Sequence, residues 1–104
     1  MPAFTVRVEL HGVSDYSNLH NEMRKEKFKT TISATDGTEY HLPTAEYNLP
    51  DGVDNTSLEV LTRAKRAVAA ALKNESQAIK SKNTPPTVLV TKATGRVWSG
   101  LIKV

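Results

Sequence analysis

Between residues 3 and 11 apolar and polar side chains alternate, Phe4, Val6, Val8 and Leu10 against Thr5, Arg7, Glu9 and His11. A period of two is that of a strand with one buried face. Gly12 punctuates it, and Ser14 or Asp15 can accept from the free amide groups of a helix's first turn. Tyr16, Leu19 and Met23, spaced three and four apart, predict a helix over 16–27 with Asn18, Asn21, Glu22, Arg24 and Lys25 facing water. Phe28, Thr30 and Ile32 then alternate with Lys29, Thr31 and Ser33 in a second strand, and Asp36-Gly37 predicts a tight turn into a third over 38–47. Pro43 lies inside that third strand and has no N–H for a ladder. The apolar parity also changes across it, from Tyr40 and Leu42 to Ala45 and Tyr47, so a bulge or bend is expected there. Turn chemistry over 48–52 ends the strand.

Thr56-Ser57-Leu58-Glu59 has the spacing of a capping box, in which hydroxyl and carboxylate satisfy each other's amides at a helix start. The helix predicted from Ser57 to about Lys73 carries Leu58, Leu61, Ala64, Val68, Ala71 and Leu72 on one face, with Arg63, Arg66 and Lys73 largely off it. Residues 74–86 are polar and end in Pro85-Pro86, which reads as a mobile connection or a frayed extra turn. Thr87 to Thr91 is a fourth strand, Thr94-Gly95 a turn, and Val97 to Val104 a closing fifth strand that extends one edge or reaches a second chain.

Two amphipathic helices alternating with half-apolar strands must bury their stripes on a common sheet. The order predicts an α+β fold, a ferredoxin-like βαββαβ sandwich with an extra C-terminal strand and both helices on one face of an antiparallel sheet. The first and third strands become neighbours, and Thr5, Arg7, Glu9 and His11 occupy the helix-free face. At 104 residues the chain suffices for one core, so 1–104 is expected to be a single domain. Nowhere is there an apolar run of the ~20 residues a membrane span needs, and Met1-Pro2-Ala3-Phe4 lacks a secretory pattern, so a cytoplasmic protein without a membrane partner is expected. With no cysteine, disulfides, thiol nucleophiles and thiolate zinc sites drop out.

Net charge is +3, yet its distribution is uneven: residues 1–54 carry five basic against nine acidic groups, and residues 55–104 nine basic against Glu59 and Glu75. The second half can attract phosphate or an acidic partner, or form a solvated face balanced by acidic neighbours. Arg63, Lys65 and Arg66 on the second helix are the candidate nucleic-acid contacts.

The side chains able to move protons near neutral pH are His11, His20 and His41. If the first and third strands are adjacent, His11 and His41 share the open face with Arg7, giving a base, an acid and a cation for a phosphate. That set suits RNA cleavage without metal or cofactor. Each histidine also has a surface or packing role open to it, His20 above all, beside Leu19. A metal site from His11, His41 and Glu9 or Glu39 lacks any close-set ligand pattern, and the glycines are isolated, so no phosphate-cradling loop exists. Trp98 suits an edge or an interface.

The opening Thr5-Val6-Arg7-Val8-Glu9-Leu10-His11-Gly12, the block from Tyr40 to Tyr47 and the end from Val88-Leu89-Val90-Thr91 through Gly95-Arg96-Val97-Trp98 resemble short bacterial proteins grouped with GhoS, the endoribonuclease antitoxins of type V toxin–antitoxin systems. The resemblance implies a ferredoxin-like fold and cleavage of a toxin transcript. Two readings result. One is a small RNA-binding protein, an endoribonuclease antitoxin acting through Arg7, His11 and His41 and forming a homodimer; the other is a non-enzymatic module for protein interaction or dimerisation.

Overall fold

The computed structural model describes residues 3–50, 56–93 and 95–104. Strand β1 (Ala3–Glu9) is the middle of a three-stranded antiparallel sheet, flanked by β4 (Glu46–Leu49) and β5 (Thr87–Ala93). Its alternation has the expected result: Phe4, Val6 and Val8 are fully buried, while Arg7 and Glu9 are exposed. Register carries the two faces across the sheet. Val6 lies beside Tyr47 and Val90 on the core side, and Arg7 beside Glu46 and Leu89 on the other.

Helices α1 (Ser17–Lys25) and α2 (Ser57–Leu72) cover the core side together. Leu19 and Met23 of α1 meet Val60, Ala64, Ala67 and Val68 of α2 over the β1 residues. The capping box is formed, Thr56 Oγ1 accepting from the Glu59 amide at 3.2 Å and Glu59 Oε1 from the Thr56 amide at 3.0 Å. The apolar stripe of α2 is rotated from the predicted one. Val60 is buried and Leu58 is 72% exposed, because at ~100° per residue Val60 falls on the same buried stripe as Ala64, Ala67 and Ala71, whereas Leu58 points to nearly the opposite side of the helix.

Further expectations change. The predicted third strand is two: β3 (Glu39–His41), which pairs with β2 (Thr31–Ser33) in a separate two-stranded sheet, and β4. Of the bulge or bend expected at Pro43, the chain makes the bend, as a full turn. Pro43 lacks the ladder donor, the Glu46 amide donates back to the Pro43 carbonyl at 3.1 Å, and Ala45 takes φ +74°, which re-aims the chain before it rejoins β1. Asn48 and Leu49, expected in a turn, continue β4, and 51–52 of that predicted turn lie outside the described residues. Lys29 pairs with Asn48 on the outer side of β4, the amide of each donating to the carbonyl of the other at 2.7 and 2.8 Å.

The polar connection holds an ordered helix, α3 (Gln77–Lys82), capped by Ser76 and fixed by Asn83, which is 1% exposed. The predicted closing strand over 97–104 is not formed. Residues 95–104 run as an irregular strap, with Arg96 donating to Asn48 Oδ1 at 2.6 Å and to Thr5 Oγ1 at 3.3 Å. Trp98 meets Tyr40 edge-on at 5.6 Å, and Lys103 bridges to Tyr40 of β3. Thr94 of the predicted Thr94-Gly95 turn lies outside the described residues. Among the described residues no helix is long and apolar enough to cross a membrane.

Candidate functional site

His20 and Arg24 stand four apart on α1 and therefore share one flank of it. Leu19 beside them is buried and sets that flank against the sheet edge. Facing it is the segment that leaves β3 and enters β4. The Leu42 amide donates to the Thr30 carbonyl at 2.9 Å, and the Val8 amide to the Ala45 carbonyl at 2.9 Å, which pins this turn to both β1 and the approach to β2. His20, Arg24, Thr30, His41, Leu42, Pro43, Thr44 and Glu46 line the resulting cleft of about 170 Å³.

His20, Arg24 and His41 thus border one opening. The His20 ring is held by Tyr47, whose fully buried side chain rises from the core side of β4 to place its hydroxyl 2.8 Å from Nδ1. The two rings meet edge-on at 5.6 Å, which fixes the imidazole plane. Burial, and next the Arg24 charge, hold the His20 pKa below the ordinary imidazole value of 6.5, against an opposing pull from Asp15. Burial pushes the Tyr47 phenol well above its ordinary range, so it stays a neutral hydroxyl. When that hydroxyl accepts from Nδ1–H, the Nε2 of His20 is left with an available lone pair. Glu46 brings a carboxylate to the rim, and Arg7 lies 3.4 Å from it on the neighbouring strand.

The sequence-predicted residues are distributed unequally. His41 lines the cleft, and Arg7 reaches its edge through Glu46. His11 lies elsewhere, in the loop after β1. Its amide donates to Asn83 Oδ1 at 2.9 Å and its carbonyl accepts from Asn83 Nδ2 at 3.0 Å. The expected His11–His41 pair on the open face is therefore not assembled: the turn at Pro43 to Ala45 lifts 39–41 out of the β1 ladder, and His41 pairs with Thr31 instead. The histidine that does share the cleft with His41 is His20, whose place beside Leu19 favours a surface or packing role. Its signal was the spacing to Arg24, but the partner strand that makes the pair a cleft is set only by tertiary structure.

Arg63, Lys65 and Arg66 do not form one phosphate-facing row. Arg63 donates to the Glu26 carbonyl at the end of α1, lies 3.8 Å from the Glu26 carboxylate and stacks over Phe28 at 5.7 Å. Arg66 reaches the same carboxylate at 3.2 Å, whereas Lys65 is exposed on another side of α2. Glu26 thus draws two of the three cations into the α1–α2 seam. A larger cleft, about 390 Å³ between α1 and α2, is lined by Asn18, Asn21, Asn74 and Arg24 among others and contains no imidazole. Among the described residues no group of three or more His, Asp or Glu side chains is placed to hold a metal ion. The chain matches no family model, no curated protein and no solved structure.

Proposed function

We propose that the protein binds RNA and cleaves its phosphodiester backbone without metal or cofactor, at the cleft between α1 and the β3–β4 turn. The observation that carries this reading is that His20, His41 and Arg24 all line one cleft. In the reaction, His20 takes the proton of a ribose 2′-hydroxyl, and the freed oxygen attacks the adjacent phosphorus. The bond to the 5′-oxygen breaks, and that oxygen leaves with a proton supplied by His41. The products are a 2′,3′-cyclic phosphate and a new 5′-hydroxyl, so one proton is taken and one returned. Arg24 stabilises the added negative charge on the phosphoryl oxygens. His20 suits the base role because burial and Arg24 keep it unprotonated at neutral pH.

The ferredoxin-like assignment belongs to the same proposal. It is supported by the order β5–β1–β4 with the Lys29 segment outside β4, and by both helices lying on one face, the arrangement of a split βαβ pair. Together with the resemblance to GhoS-type antitoxins, this makes a toxin transcript the RNA we assign to the cleft. Incubation with a mixed transcript pool in excess chelator tests the reading. We expect fragments ending in 2′,3′-cyclic phosphate, with the rate reduced roughly 10²-fold or more by His20→Ala or His41→Ala. Absence of cleavage, or cleavage unchanged in the double variant, would overturn it.

A further inference from the structure

Strand β5 is the outer strand of its sheet, and among the described residues nothing pairs with its far side. Natural sheets blunt such edges with charges, prolines, bulges or a covering segment. β5 does little of this. It runs seven residues in unbroken register with β1, carries Lys92 as its single charge, and leaves Leu89 61% exposed. The strap does not cover it either, since Arg96 leads the chain away across β1 and β4 toward β3.

The helix above the edge continues the apolar strip. Arg63 and Arg66 turn toward α1 through Glu26, and Ala70 and Asn74 share a cleft with it. At ~100° per residue, Leu58 and Leu61 fall on the flank of α2 turned away from α1. Because α2 rests on β5, that flank overhangs the free edge, with Leu58 exposed and Leu61 half-exposed. Lys65 shares the flank, with a stem long enough to carry its ammonium to the rim.

We infer that this edge binds the same edge of a second copy, β5 pairing antiparallel with β5 about a twofold axis through Leu89. The segment Thr87-Val88-Leu89-Val90-Thr91 reads the same in both directions. An antiparallel twofold therefore sets Leu89 opposite Leu89, Val88 opposite Val90 and Thr87 opposite Thr91. Val88 and Val90 already pack against the core on the helix side, so the pairing joins two cores, while the threonine pairs lie on the open face. No charge falls inside the five-residue ladder, so the axis brings no like charges face to face there. One step further, Pro86 stands opposite Lys92 at each end, and a proline without an N–H terminates the ladder. The result is a continuous six-stranded sheet in the order β4-β1-β5-β5-β1-β4, with the two clefts at its far ends. This assignment is independent of the RNA reading.

Because the chain has no cysteine, single cysteines report the register directly. Residues directly opposite in an antiparallel pair have Cα atoms ~4.5–5.5 Å apart, within disulfide range. Sedimentation of the intact chain over a rising concentration series should show a dimer. Leu89→Cys should then cross-link to itself under mild oxidation. Thr87→Cys and Thr91→Cys should not cross-link alone but should do so when mixed. Leu89→Lys, at an exposed position, should keep the native circular dichroism and thermal transition while weakening association at least ~10-fold. A chain monomeric throughout the series, a dimer in which Leu89→Cys stays reduced, or self-cross-linking by Thr87→Cys in preference to Leu89→Cys would overturn the assignment.

Discussion

His20 shows how one side chain is set by forces from three directions. The helix places it, the Tyr47 hydroxyl orients its ring, and burial with the Arg24 charge discourages its protonation. These have a consequence for stability, because the unfolded chain holds His20 at 6.5 and the native ring takes its proton only at lower pH. As pH falls from 6.5 through the native value, the unfolded state binds a proton that the native state refuses, and stability declines; above 6.5 this contribution is constant. We expect the His20 ring to titrate below 6.5 by NMR. The urea midpoint should fall between about pH 7.5 and about pH 5.5 by more in the wild type than in His20→Gln. A ring titrating at or above 6.5 would contradict this account of its environment.

At the scale of elements, legibility followed how local the determining force was. The α2 start was readable because the capping box lies within four residues, and β1 because alternation alone sorts Phe4, Val6 and Val8 from Arg7 and Glu9. The predicted bend at Pro43 was located correctly, but its extent was not: whether a chain bulges or turns fully depends on what pins it, here the Thr30 carbonyl and the Val8 amide. The same non-local cause keeps His11 apart from His41 and leaves His20 beside it at the cleft. α3, legible only as the frayed-turn alternative for 74–86, depends on distant partners in the same way. Of Gln77–Lys82 only Ile79 packs against the core, and only in part, so no periodicity marks the helix, and its end is anchored by Asn83. That amide accepts from the His11 amide and donates to the carbonyls of His11 and Ile79 at 3.0 and 2.9 Å. Asn83→Ala should therefore cost about 1–3 kcal/mol in denaturant unfolding and speed amide exchange at His11. An unchanged midpoint would show that water replaces these bonds without loss.

Across the whole molecule, the two sides of the sheet have different duties. The helical side holds the core, and the opposite side is crossed by the strap, which Arg96 anchors by a charge-assisted bond to the buried Asn48. That crossing makes the open face a poorer candidate for chemistry than the sequence suggested, and it leaves the cleft beside α1 as the place where proton-transfer groups gather. The uneven charge along the chain is also partly resolved by folding, as acidic Glu26 from the first half meets Arg63 and Arg66 from the second. The most direct test locates the RNA on the protein. Amide and imidazole NMR spectra are recorded while a single-stranded oligonucleotide carrying 2′-deoxyribose at every position, and therefore uncleavable by this route, is added at low and then high salt. Binding of RNA at the cleft requires shifts concentrated at His20, Arg24, Thr30, His41 and Thr44, fading as salt rises because phosphate contacts release counterions. Shifts centred on His11 or on the β5 edge, or none at low salt, would contradict it.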